Sequence, residues 1–135
     1  MTSLIVDASV AVKWFFLEAD SQRADSLRGG EFDFIAPELI IAEIGNAARK
    51  KRSRNEIDAA GAIFVIQRAP LIFASLVSIV DLAEAAMRLS ATLLHPIYGC
   101  FYLALAERER APIVSADASL LAAAKRLPAI AARKL

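Results

Sequence analysis

Leu4-Ile5-Val6-Asp7 and Ile113-Val114-Ser115-Ala116-Asp117 carry one pattern at the two ends of the chain: a short aliphatic run that stops at an aspartate. Three or four such residues in a row read as a buried strand of a parallel sheet. Ligands of open α/β sheets sit outside the carboxyl ends of the strands. The two acids are thereby predicted to meet in one cleft, which is the geometry of a metal site.

Helix and strand patterns alternate between these runs. A helix is expected over 9–17 with Ser9 as its cap, and another over 19–28 closed by Gly29-Gly30. A strand follows at 34–36, then a long helix from Pro37 to about Lys51, because proline suits a first helical turn. Ser53 and Glu56 have the spacing of a capping box, so a helix should open there and end before Pro70. Beyond it the pattern predicts a strand at 71–76, helices over 79–93 and 98–108, a strand at 112–116, a helix over 118–126 and an edge strand at 130–132. Strands separated by helices pair in parallel through right-handed crossovers. The expected class is therefore α/β: a three-layer α/β/α fold around a small, mainly parallel sheet of four to five strands, in a single domain over 1–135.

The chain has 135 residues, a net charge of +1 and 57% hydrophobic residues. That charge excludes a protein that binds nucleic acid through bulk positive charge, although Arg49, Lys50, Lys51, Arg52 and Arg54 form a local basic cluster. No secretory signal or transmembrane span is read, and the one cysteine, Cys100, has no partner for an internal disulfide. A reducing cytoplasm is the expected compartment. The hydrophobic excess suggests apolar surface left for a partner. Trp14, Phe15 and Phe16 are consecutive, so they cannot all face the core from one helix, and part of that run is expected on a partner surface.

On the long helix, Glu43 and Asn46 share a face with Leu39 and Ala47. A carboxylate on so apolar a face needs exposure or a partner, and a hard cation such as Mg²⁺ or Mn²⁺ is one such partner.

Four segments then bear a resemblance. Ile5-Val6-Asp7-Ala8-Ser9-Val10, Glu43-Ile44-Gly45-Asn46-Ala47, Tyr98-Gly99-Cys100-Phe101-Tyr102-Leu103-Ala104-Leu105-Ala106 and Val114-Ser115-Ala116-Asp117 look, in order and spacing, like the signature segments of PIN domains, most like the VapC-type toxins of toxin–antitoxin pairs. The resemblance spans essentially the whole chain. It implies a PIN-like fold and a Mg²⁺- or Mn²⁺-dependent endoribonuclease acting on structured RNA such as transfer RNA. It further implies a cognate VapB-like antitoxin that blocks the enzyme, and a homodimer. Asp7, Glu43 and Asp117 match the first, second and fourth acids of the family, as catalytic and metal-binding residues, and Asn46 and Ser115 match polar companions of the site. The third acid is absent: Gly99 stands where the family has an aspartate after the tyrosine. Fewer carboxylates bind Mg²⁺ more weakly, so reduced affinity and impaired cleavage are expected. A naturally degenerate domain, an active variant with three acids, and an inactivating change at Gly99 are the competing accounts. The rival functional reading is a non-catalytic PIN-fold module that contacts antitoxin or RNA without cleavage.

Taken singly, Asp7 and Asp117 would read as helix caps, Glu43 as a surface residue, and the Arg49–Arg54 cluster as a solvated helix end or an RNA contact. His95, before Pro96, reads as a loop residue, and Cys100 as a buried structural thiol.

Overall fold

A computed structural model describes residues 1–135. Strands β1 (Thr2–Val6), β2 (Phe32–Pro37), β3 (Ser75–Val77), β4 (Ile113–Ser115) and β5 (Ala132–Lys134) form one sheet in the order β3-β2-β1-β4-β5. Every neighbouring pair is parallel. Seven helices flank it: α1 (Ala8–Ala11), α2 (Ser21–Arg28), α3 (Leu39–Ser53), α4 (Ala59–Arg68), α5 (Ile79–Leu93), α6 (Ile97–Glu109) and α7 (Ala118–Lys125). This is the expected three-layer α/β/α fold, with the sheet wholly parallel.

The strand order places the site. From β1 the chain builds outward to β2 and β3, then returns to pair β4 on the other side of β1. Connections leave β1 and β4 in opposite directions, and a crevice opens beyond their carboxyl ends. Val6 lies beside Val114, so Asp7 and Ser115 follow as neighbours at that edge.

Helix α6 forms the floor of the domain. Cys100 through Ala106 are all buried, because the helix is apolar all round and packs on β1, β2 and β4 with α5 along its side. No single helix in the molecule is long and apolar enough to cross a membrane.

Several boundaries differ from the sequence expectation, each for a local reason. Asp7, not Ser9, caps α1, its Oδ1 accepting from Val10 N at 3.3 Å. The helix tightens after Ala11 into a 3₁₀ turn, Val12–Trp14. Pro37 closes β2 instead of opening α3, beside Val77 of β3, and Glu38 N donates to Val77 O at 2.8 Å. Ser53 ends α3, its hydroxyl donating back to Lys50 O at 2.8 Å. The backbone reverses at Asn55 (φ 59°), and Asp58 caps α4 instead, accepting from Gly61 N at 2.7 Å. The proposed capping box at Ser53 and Glu56 therefore does not form. The stretch expected as a strand at 71–76 begins as a 3₁₀ turn around Pro70, and β3 starts only at Ser75. β5 lies two residues later than expected, at Ala132–Lys134.

The aromatic run is not exposed as expected. Phe16 is buried, and Trp14 and Phe15 pack against the core. Trp14 Nε1 donates to Ala24 O at 2.7 Å, and its ring lies 4.9 Å from Phe34. The helix-to-3₁₀ transition re-aims the three side chains, so the one-helix argument for exposure does not apply.

Candidate active site

Asp7 leaves the end of β1 almost fully buried, and three donors hold it. Ser9 Oγ donates to Oδ1 at 2.6 Å, Ser115 Oγ to Oδ2 at 2.6 Å, and Val10 N to Oδ1. The two serines also tie the strand ends together. Ser9 Oγ accepts from Ala116 N at 2.9 Å, and Ser115 Oγ accepts from Asp117 N at 2.9 Å. Asp117 caps α7 through Ser119 N at 2.9 Å and Leu120 N at 3.3 Å, while the residue itself stays exposed. Its capping role and its place at the site are compatible, since Oδ1 takes both caps.

Glu43 reaches the crevice from α3, and its partner is a phenol. Tyr102, on α6 and 2% exposed, donates its hydroxyl to Glu43 Oε1 at 2.6 Å. Sequence reasoning placed Tyr102 only at core spacing and Ser9 only as a cap. Nothing local marks either as an orienting group, because their partners lie on other elements.

Asp7, Glu43 and Asp117 line one cavity of about 250 Å³, together with Ser9, Tyr102 and His95. Asn46 does not join it. It is exposed, accepts from Arg49 Nε at 3.0 Å, and lies in an adjoining groove with Lys50 and Tyr98. The basic cluster is likewise divided. Lys51 is half-buried, paired with Glu56 at 3.4 Å and Glu18 at 3.8 Å and set over the Phe16 ring, while Arg52 and Arg54 remain exposed.

Position 99 is not an open gap. A Cβ built on Gly99 would stand 2.6 Å from His95 Nε2 and 3.1 Å from Leu120 Cδ1. Cys100 is buried, as expected of a structural thiol, and burial pushes it up.

Burial raises the Asp7 carboxyl above its ordinary 3.8; the Ser115, Ser9 and Val10 donors oppose this, and the Asp117 charge adds to it. Burial likewise raises Glu43 above 4.5, against the Tyr102 hydrogen bond and with the Asp7 charge. Tyr102 is held well above 10.0 by burial and by the Glu43 carboxylate, so it remains a hydrogen-bond donor at neutral pH.

A sheet-edge crevice with acids just beyond the ends of β1 and β4 and a third on α3 is an arrangement with relatives. The PIN domain model matches residues 4–126. The chain belongs to the PIN domain family. Among solved structures of like fold, PAE2754 from Pyrobaculum aerophilum is 22% identical, with a TM-score of 0.68 over 97% of this chain and 83% of that one. VapBC2 from Rickettsia felis, bound to a DNA fragment from its promoter, is 12% identical, with a TM-score of 0.65 over 99% of each chain. FitAcB from Neisseria gonorrhoeae is 12% identical, with a TM-score of 0.69 over 96% of this chain and 95% of that one. No curated protein matches the chain.

In this PIN domain the donor set suits a hard cation that keeps its waters. The acids share the cavity, and each carboxylate oxygen in a hydrogen bond retains acceptor capacity. No three His, Cys, Asp or Glu side chains converge closely enough to hold an ion directly.

The raised carboxyls have a consequence for stability. The folded protein binds these protons more tightly than the unfolded chain, so the cost of the buried charge is fully present above the raised native pKa values. It is relieved as pH falls through them toward 3.8 and 4.5. In metal-free buffer at neutral pH, Asp7→Asn should therefore melt roughly 3–6 °C above the parent, the reach of about 1 kcal/mol in a domain this size. Thermal scans should show the margin narrowing as pH is lowered.

Proposed function

We propose that this chain is a divalent-metal-dependent endoribonuclease scaffold of the VapC toxin type, acting on structured RNA such as transfer RNA and impaired by Gly99. The observation that carries the reading is the shared cavity: Asp7, Glu43 and Asp117 meet at the β1–β4 switch point of a PIN domain. Asp7, Glu43 and Asp117 would hold Mg²⁺ or Mn²⁺. When bound, the cation would lower the pKa of a water and offset charge on the scissile phosphate.

The chain's own groups prepare that chemistry. Ser9 and Ser115 fix both Asp7 oxygens, and Tyr102 fixes Glu43, so the carboxylates are oriented before any ligand arrives. The adjoining groove offers Lys50 for a backbone phosphate and the exposed Tyr98 ring for a base. The likeness to VapBC2 and FitAcB supports a VapB-like antitoxin as partner; a homodimer and a cytoplasmic setting belong to the same reading as expectations from the sequence. Gly99, with an imidazole where a fourth carboxylate would start, favours the second reading: a non-catalytic module that binds antitoxin or RNA.

The test is Mg²⁺- or Mn²⁺-dependent cleavage of a transfer-RNA pool by this chain and by Gly99→Asp, with Asp7→Ala and EDTA as blanks. Weak cleavage by the parent, strengthened in Gly99→Asp and abolished in both blanks, is expected. Folded protein that cuts in neither background leaves the binding module.

A further inference from the structure

The outer face of α5 carries an apolar stripe that nothing in the chain covers. Val80, Met87 and Leu94 are 80%, 57% and 90% exposed, and Ala83 and Ala91 are exposed between them. The helix turns its other face inward through Leu82, Ala86 and Leu93, which are buried. Spacings of three and four residues set the outer side chains in one row. Single exposed apolar residues are ordinary, whereas a continuous row of them marks an interaction surface.

The stripe is symmetric about its centre. Ala83 and Ala91 stand four residues to either side of Met87, and Val80 and Leu94 stand seven. A second α5 laid antiparallel on the first, with the two-fold axis at Met87, therefore sets Met87 on Met87, Ala83 on Ala91 and Val80 on Leu94. The small alanines let the two backbones approach closely, and the flexible methionines fill the centre. Glu84 and Arg88 form an exposed pair, 3.3 Å apart, along one shoulder of the stripe. The same axis brings each within one turn of the opposite charge on the other copy.

We propose that α5 is the interface between two copies of this chain, packed antiparallel about Met87. The functional reading carries a homodimer as an expectation from the sequence; the inference rests on that expectation and gives it a surface. A two-fold interface uses one self-complementary patch twice, which requires a symmetric stripe, whereas a different partner chain requires no symmetry. The stripe ends one residue before His95 and Pro96, which line the cavity with Asp7, Glu43 and Asp117. Each copy's cavity thus sits at one end of the paired helices.

Sedimentation equilibrium of the full chain should give a dimer. Met87→Glu places two carboxylates at the axis and should weaken association about 10-fold or more, with native circular dichroism. Met87→Cys, oxidised with copper phenanthroline, should cross-link to its own copy. The lone native thiol, Cys100, is buried, so the parent serves as the blank. Ala83→Cys should not link to itself but should link to Ala91→Cys when the two are mixed. A monomeric parent overturns the inference and the homodimer expectation together, and leaves the stripe to a different protein. A dimer that withstands Met87→Glu, or that does not cross-link through position 87, overturns this surface alone and keeps the homodimer. Metal-dependent cleavage is measured separately, so the nuclease reading does not fall with either result.

Discussion

Gly99→Asp should raise divalent-cation-dependent RNA cleavage about 10²- to 10³-fold over this chain, the usual reach of one group that acts on developing charge. Position 99 lies in the first turns of α6 and faces the cavity that already holds Asp7, Glu43 and Asp117. A carboxylate there deepens the negative well that a hard cation neutralises. Its own cost is modest. An acid near a helix N-terminus gains about 0.3–1 kcal/mol from the backbone dipole. The close neighbour is the tip of His95, a side chain that can swing away, and Leu120 Cδ1 at 3.1 Å must give slightly. Single-turnover cleavage of a transfer-RNA pool in Mg²⁺ measures the gain. Equal rates in the two proteins would show that three acids suffice.

Ser115→Ala should cost about 2–3 kcal/mol of stability, the scale for a buried charged group that loses its donor. The Ser115 hydroxyl is fully buried, donates to Asp7 Oδ2 at 2.6 Å and accepts from Asp117 N at 2.9 Å. Its removal leaves a carboxylate oxygen and an amide with no substitute nearby, since Ser9 is already engaged by Asp7 Oδ1 and Ala116 N. The Ser115 hydrogen bond is also the largest influence holding the Asp7 carboxyl down, so that carboxyl should rise further. Urea midpoints measure the loss. In the Asp7→Asn background the penalty should fall below about 1 kcal/mol, because the charge that made the hydroxyl valuable is gone. An undiminished penalty would assign the role of Ser115 to the Asp117 amide instead.

The legible parts of the fold were those set by unbroken pattern. Ile79–Leu93 was read to the residue because its apolar face repeats through four turns. The Leu4–Val6 and Ile113–Ser115 cores were read because strands buried on both faces need only aliphatic residues. The failures fall where two local rules competed. Ser53 satisfies a capping box forward and a hydroxyl-to-carbonyl bond backward, and the second won. Pro37 suits a helix's start, yet the pairing of β2 with β3 runs through it.

The site divides the same way. That Gly99 interrupts an acidic series is what the resemblance to PIN domains implies; by itself the sequence determined that Asp7 and Asp117 follow strands and that Glu43 needs a partner. These follow from residue type, local period and motif order, which need no distant contact. Only the tertiary structure decided that Tyr102 is the partner of Glu43 and that Ser9 and Ser115 clamp Asp7. It alone decided that Asn46 falls outside the cavity and that His95 fills the place at Gly99. Each of those depends on side chains from different elements meeting in space. Strand order, helix packing and rotamer choice set such meetings, and no local pattern encodes them.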